Sequence, residues 1–403
     1  MNYTQTLDWL YARLPMYQRI GAPAMRLGLE NIQSLTIALG SPERQFKSIH
    51  IAGTNGKGSS SHMLASVLQT AGYKVGLYTS PHLKDFSERI RINGNPITEK
   101  RVVDFVAQHK NLFEKGTFSF FELTVAMAFW QFALEKVDIA IVEVGLGGRL
   151  DATNIIHPEI CLITSISKDH QQFLGNTLKE IATEKAGIIK PKIPVVIGNN
   201  PDEVVKVLTD KADEVGAPWV LATEQCTHPL ETDLKGAYQK PNIIGVMAVI
   251  SLLKDFKISS QQLEEGLLHV VQNTGLKGRW QVLSNTPLTI ADVAHNASGI
   301  ESVMKQLSDL PKNKLHIVYG MVSDKDFSSL APYLPVTARY YFCSPNVVRA
   351  KQAAQLAEEA KERGFYGDTY ASVQEAYMAA QQNALVNDVV FVGGSVFTVA
   401  EVL

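Results

Sequence analysis

The chain has 403 residues, 45% hydrophobic and 19% charged, with a formal charge of −2. Such a length gives two or three domains with a sizeable core, and the interspersed charges leave no broad basic face for nucleic acid and no polybasic membrane patch. Cys161, Cys226 and Cys343 lie far apart without C-x-x-C spacing, which argues against a disulfide framework or zinc site; the mixed-charge start MNYTQTLDWLYARL and the lack of a long apolar run predict a cytoplasmic chain.

In chain order, the first strong signal is the strand-like run KSIHIA (47–52), followed by a glycine-rich turn and a serine cluster, GTNGKGSS (53–60). Gly53, Gly56 and Gly58 allow positive φ and close approach to an anion, while successive N–H groups and a helix N-terminus supply positive potential. Thr54 to Ser59 therefore form a candidate triphosphate cradle, with Lys57 reaching the terminal phosphates. The spacing departs from G-x-x-x-x-G-K-[ST], because two residues separate Gly53 from Gly56 and Gly58 precedes Ser59. A helix to about Gly72 follows, then the strand KVGLYTS, which ends in Ser80-Pro81-His82 and a loop carrying Arg89 and Arg91. Ser80 offers a hydroxyl to metal or phosphate, or simply ends a strand in a turn.

The helical stretch 120–135 leads to the strand VDIAIVEVG, in which Glu143 interrupts an apolar run. A buried carboxylate needs a cationic partner: magnesium, or a Lys or Arg from a neighbouring strand. EICLITSIS follows, with Asp169 and His170 just after it, and then a helix in which Lys185 shares a face with Ile181 and Ile188. A lysine so placed either snorkels, pairs with Glu180 or Glu184, or serves the site. This alternation of short strands with longer helices predicts a doubly wound, mainly parallel sheet, so Ser80, Glu143, His170 and the phosphate loop can converge at its carboxyl edge.

IPVVIGN and the apolar helix 241–256 complete the first unit. Turn formers crowd NTGLKGRWQVLSNTP (273–287), after which LTIADVAH, LHIVYG, RYYFCS and DVVFVGG mark a smaller, Rossmann-like α/β unit. The boundary is expected near Ser284, giving domains 1–283 and 284–403, with a cleft between two nucleotide-binding-like sheets.

Taken together and in this order, HIAGTNGKGSS, TSPHLKDFSERIRING, EVGLGGRLDATN and the DH and EKAGIIK segments resemble folylpolyglutamate synthase and dihydrofolate synthase of the Mur ligase superfamily. The likeness runs from RLGLENI (26–32) through SFFELTVA (119–126) and DVAHN (292–296) to FVGGSVFTVAE. It implies an ATP-dependent amide ligase in which a substrate carboxylate is phosphorylated by ATP and the acyl phosphate is attacked by the amino group of glutamate. By the family pattern Ser80, Glu143 and His170 are magnesium ligands, and Thr54, Asn55, Gly56, Lys57, Gly58 and Ser59 wrap the phosphates. Lys185 is expected to carry a carbamate, with one or two Mg²⁺ ions and room for a monovalent cation. Asn242, Arg279 and Asp292 match nucleotide-contacting positions, and His295 is expected to act in amide formation or to cap the following helix. Gly28, Leu29, Glu30, Ser119, Phe120, Phe121, Glu122, Leu150, Asp151 and Ala152 are expected on the pterin side, although aromatic pairs such as those of SFFE also pack cores. Val293 stands where the family commonly has glycine, and KGRW (277–280) where many relatives have PGR. The implied partners are a folate or dihydropteroate and L-glutamate, with no nucleic acid or membrane, and a monomeric chain; a different Mur-type ligase, or a P-loop ATPase or kinase, is the alternative.

Overall fold

In the computed structural model, which describes residues 1–13 and 28–403, the run KSIHIA forms β1 (Lys47–Ala52) at the centre of an eight-stranded sheet. The other strands are β2 (Val75–Tyr78), β3 (Ile90–Ile92), β4 (Asn95–Pro96), β5 (Ile139–Glu143), β6 (Ile160–Ile163), β7 (Val195–Ile197) and β8 (Trp219–Leu221). Their spatial order is β4-β3-β2-β5-β1-β6-β7-β8. The six from β2 to β8 in that order are parallel, and β3 and β4 add an antiparallel edge. Strands β5 and β6 are near-continuous apolar runs, as strands of a parallel sheet buried on both faces require. Of the segment RLGLENI, Arg26 and Leu27 lie outside the described residues.

Local chemistry sets where the helices begin. Ser119 accepts a hydrogen bond from Glu122 N–H, and Glu122 returns one to Ser119 N–H, a capping box that starts the helix Phe120–Glu135. That helix is apolar nearly all round and lies buried. The helix Lys57–Thr70 grows directly out of the glycine-rich turn and is buried from Ser59 to Leu68. Against it packs the helix Ser260–Leu268, so closely that a methyl group on Gly266 would stand 2.5 Å from Val67 Cα; Ser66 Oγ donates to the Gly266 carbonyl at 2.6 Å.

The chain divides into two units, Met1–Asp233 with Gln239–Leu276, and Leu234–Tyr238 with Lys277–Leu403. The second holds β9 (Gln281–Asn285), β10 (Leu288–Ala291), β11 (Leu315–Tyr319), β12 (Arg339–Cys343), β13 (Gly367–Tyr370) and β14 (Val389–Gly393), ordered β13-β12-β11-β14-β10-β9. All neighbours are parallel except β9 and β10. The expected boundary at Ser284 is therefore displaced: Ser284 lies inside β9, paired with Thr289, and the second unit begins at Lys277. Among the described residues no helix is long and apolar enough to cross a membrane.

Because Gly266 admits no side chain, Gly266→Val is expected to cost about 1–3 kcal/mol through overpacking and to lower the thermal midpoint. An unchanged melting curve would show that the two helices can separate freely.

Candidate active site at the carboxyl edge of the first sheet

The parallel strands β2, β5, β1 and β6 are neighbours, so the segments leaving their carboxyl ends leave side by side. Glu143 ends β5 in register with Ile51, one residue before β1 finishes. Gly53 follows β1, Ser80 follows β2, and Thr164 to His170 follow β6. All four sequence-predicted clusters thus reach one edge.

The phosphate loop is held open by hydrogen bonds rather than by its own packing. The Ser165 carbonyl accepts from Thr54 N–H (2.7 Å) and Asn55 N–H (3.4 Å), Thr54 Oγ1 exchanges bonds with the Ser167 backbone, and Thr164 Oγ1 donates to the Asn55 carbonyl at 2.8 Å. Gly53 (φ 149°) and Gly56 (φ 93°) meet the need for left-handed backbone and tight space. A methyl on Gly53 would stand 1.8 Å from Thr164 Oγ1, and one on Gly56 2.2 Å from Asn242 Oδ1. Gly56 is the N-cap of the helix whose first residue is Lys57, so its free N–H groups open at the loop. Lys57 folds back, its Nζ donating to the Thr54 carbonyl at 3.2 Å, and Gly58 is half-buried in the first turn.

Glu143 is 4% exposed, and its Oε2 accepts the Ser80 N–H at 3.2 Å. The buried Arg89 guanidinium lies within electrostatic reach of it, stacked over Phe120 and donating Nε–H to His82 Nδ1 at 2.8 Å. Burial and that guanidinium push the His82 imidazole down to about 3, so it is neutral and can accept. His170 takes a left-handed backbone (φ 49°) beside the buried Asp169, whose carboxylate accepts the His170 N–H at 2.8 Å.

Lys185 sits at the end of the helix Leu178–Ala186, 4% exposed, with Nζ donating to the Gly53 carbonyl at 2.9 Å. It does not snorkel. Desolvation, then the nearby Lys57 charge, lowers its pKa to about 7, with Asp169 and Asp151 opposing.

Among the pterin-side expectations, Ser119 and Glu122 are committed to the capping box and Phe120 is buried, whereas Phe121 is half-buried against Gly145. The Glu30 carboxylate turns back over Gly28 (φ 125°), and Leu29 precedes the helix Glu30–Ala38. Leu150 is half-buried; Asp151 and Ala152 are buried at the start of a short turn. In the second unit Asp292 follows β10, buried, and accepts from Tyr238 OH, Trp280 N–H (2.7 Å) and Ala294 N–H (2.9 Å), with the Arg279 charge nearby. His295 shares Nδ1–H with the Val293 carbonyl at 3.0 Å; the helix cap there is Asn296, not His295. Val293 fills the space above Gly278, where a methyl would stand 2.8 Å from its Cγ1.

Two contributions escaped sequence reasoning. Gln239 is buried; its Nε2 donates to Ser59 Oγ at 3.1 Å and its Oε1 accepts from Asn242 Nδ2 at 2.9 Å, turning Asn242 toward Gly56 and occupying the buried Ser59 hydroxyl. The pair stands three residues apart at the start of the helix Gln239–Leu252, in the run YQKPN, which is the only local signal. His50 and Thr153, buried beneath the loop after β5, are the other.

A glycine-rich loop at a helix N-terminus beside a buried Glu and Lys, on a parallel sheet, is the arrangement of a nucleotide-binding enzyme. The Mur ligase middle domain matches residues 51–244, and the Mur ligase glutamate ligase domain matches 278–396. The chain is 31% identical to folylpolyglutamate synthase of Lacticaseibacillus casei over 100% of its own length and 98% of the relative's. It is 32% identical to dihydrofolate synthase/folylpolyglutamate synthase of Escherichia coli over 99% and 96%. Among solved structures, E. coli FolC in complex with DHPP and ADP superposes with a TM-score of 0.89 at 31% identity, covering 100% of this chain and 97% of that one. A bifunctional folylpolyglutamate synthase/dihydrofolate synthase with Mn, AMPPNP and L-glutamate bound gives 0.87 at 31% identity, covering 100% and 97%. The chain belongs to the folylpolyglutamate synthase/dihydrofolate synthase family.

Lys185 gives a pH prediction. Its folded pKa lies below the ordinary 10.5, so the protonated amine is disfavoured in the fold. That penalty is fully present below about pH 7 and disappears as pH rises toward 10.5. The stability gained from Lys185→Met is therefore expected to be largest at pH 6 to 7 and to shrink toward pH 10 in chemical denaturation, whereas a pH-independent difference would place the amine in water.

Proposed function

We propose that the chain joins L-glutamate to the carboxylate of a folate-type acid, using ATP and a divalent cation and releasing ADP and phosphate. One observation carries this: the phosphate loop, the Glu143–Ser80 pair and Lys185 share one sheet edge, in a chain whose relatives bind nucleotide, manganese, DHPP and glutamate. A carboxylate is a poor acyl donor because oxide would have to leave, whereas phosphate leaves readily. Transfer of the γ-phosphoryl group to the acid, then attack by the glutamate amine on the acyl carbon, forms the amide and expels phosphate. Two anions must approach first, and the loop N–H groups, the helix N-terminus and Lys57 reduce their repulsion.

Ser80, Glu143 and His170 are the residues we assign to the metal. Among the described residues no three His, Cys, Asp or Glu side chains cluster as a cage. A site of one carboxylate, one hydroxyl and one imidazole suits an ion that fills its remaining positions with phosphate oxygens and water, as Mg²⁺ does. When bound, it supplies charge neutralisation between the two anions. The lowered pKa of Lys185 leaves neutral amine at pH 7, which can add CO₂ and lose a proton, becoming an oxygen ligand of opposite charge. From the second unit we assign Arg279 and Asp292 to the nucleotide and His295 to amide formation. Gly28 to Glu30, Ser119 to Glu122 and Leu150 to Ala152 serve the pterin. Neither nucleic acid, a membrane nor a second subunit is needed.

The test supplies dihydropteroate or a reduced folate with ATP, Mg²⁺ and L-glutamate and identifies products by mass. Phosphate release is expected only with both acid and glutamate; release without glutamate and without a heavier product would indicate an ATPase or kinase instead. Lys57→Ala is expected to lower turnover by about 10²–10³-fold with the melting temperature unchanged, and near-native turnover would remove Lys57 from the phosphate site. Glu143→Gln keeps the volume but loses the charge, so activity is expected to fall and recover partly at high Mg²⁺. An unaltered magnesium dependence would assign Glu143 to Arg89 alone.

A further inference from the structure

His50 lies in the middle of β1, fully buried between Ile49 and Ile51 and paired in register with Val142 and Cys161. A polar side chain there is costly unless it is satisfied. Its Nε2 stands 2.9 Å from Thr153 Oγ1, and Thr153 Oγ1 in turn donates to Asp151 Oδ1 at 2.5 Å. A hydroxyl has one hydrogen, and here Asp151 takes it. Thr153 can then only accept from His50, so the imidazole carries its proton on Nε2. Protonating Nδ1 as well would bury an N–H that has no acceptor among the described residues, close to the Lys190 charge; burial and that charge lower the pKa to about 3. The result is a one-way chain of donors, His50 to Thr153 to Asp151.

The carboxylate at the end of this chain organises a loop. Asp151 also accepts the Thr153 N–H (3.0 Å) and, on its other oxygen, the Leu146 N–H (2.9 Å), so Gly145 to Leu150 is closed over it. That loop has no slack on either side. A methyl on Gly145 would stand 2.4 Å from Phe121 Cζ, and one on Gly148 2.9 Å from the Glu184 and Lys185 carbonyls. Arg149 N–H donates to the Glu184 carbonyl at 2.8 Å. With the Glu184 and Lys185 carbonyls as a fixed backing on one side, a shift of Asp151 is therefore taken up at the surface facing Phe121.

We propose that His50 is a positioning residue for the folate-type acid: through Thr153 it fixes the Asp151 carboxylate, and with it the loop that shapes the acid's binding surface beside Phe121. The inference rests on the substrate class proposed above. His50 touches no substrate itself; it acts through two side chains.

The test measures dihydropteroate affinity by fluorescence titration, and the affinity for a non-hydrolysable ATP analogue, on the full chain and four variants. Thr153→Val keeps the volume and removes both hydrogen bonds, so dihydropteroate affinity is expected to weaken about tenfold while the ATP-analogue affinity stays unchanged. Thr153→Ser is expected to restore it. His50→Leu should resemble Thr153→Val, and His50→Gln, whose amide can donate from nearly the same position as Nε2, should resemble wild type. If His50→Leu does not fold, the isosteric Thr153→Val decides the question alone. Wild-type dihydropteroate affinity in Thr153→Val, with or without a lower melting temperature, would overturn the proposal, as would an equal loss of both ligands. A wild-type chain that binds no folate-type acid would instead overturn the substrate assignment, and this inference with it.

Discussion

A lysine side chain kept out of water governs the arrangement of the site. Lys185 is 4% exposed, held by a hydrogen bond to the Gly53 carbonyl, the first residue of the phosphate loop. Desolvation of an ammonium is expensive, so this side chain gives up its proton more readily than a lysine in water, with the Asp169 and Asp151 carboxylates opposing that shift. The same contact ties the helix Leu178–Ala186 to the end of β1. Since Arg149 joins that helix through Glu184, the loop after β5 is tied to it as well. One buried lysine side chain thus connects three of the segments at the sheet edge, and the loop it touches is in turn bonded to the segment after β6.

Buried polar groups at this edge are otherwise satisfied by neighbours that would not suffice in an apolar core. Glu143 takes a backbone N–H from Ser80 and lies within reach of Arg89, itself shared with neutral His82 and the Phe120 ring. Low dielectric strengthens each of these interactions and raises the cost of losing one partner. Such a site is preorganised: groups that meet an incoming anion are already desolvated and oriented before it arrives, so little reorganisation accompanies binding.

Much of this was legible in the sequence because the signals are local. The strand run before GTNGKGSS, the break in apolar pattern at Glu143, the helix 120–135 and the placement of Lys185 among isoleucines each occupy a short window, and the structure matches them. Lys185 also shows the limit: its period could not distinguish a snorkelling side chain from a buried one, which depends on Gly53, 132 residues away. Gln239 reaches Ser59 across 180 residues and His50 reaches Thr153 across 103, so neither partner was visible from its neighbours. The misplaced boundary has a different cause. Strand β9 is an edge strand, half exposed and polar (QVLSN), so it lacks the apolar run that marks a strand, and turn formers on either side concealed it. In SFFE, the pattern alone left both core packing and ligand stacking open; the structure adds the capping box by which Ser119 and Glu122 start the helix.

The central claim is that the carboxyl ends of β2, β5, β1 and β6 together form the reacting edge. Its most direct test is a crystal structure of the protein with Mn²⁺ and a non-hydrolysable ATP analogue, read by anomalous scattering. The account predicts a manganese peak within coordination distance of the Glu143 carboxylate and the Ser80 hydroxyl, with the triphosphate lying on the N–H groups of residues 54–59. A peak elsewhere, with Glu143 bonded only to protein groups and the triphosphate away from that loop, would contradict it.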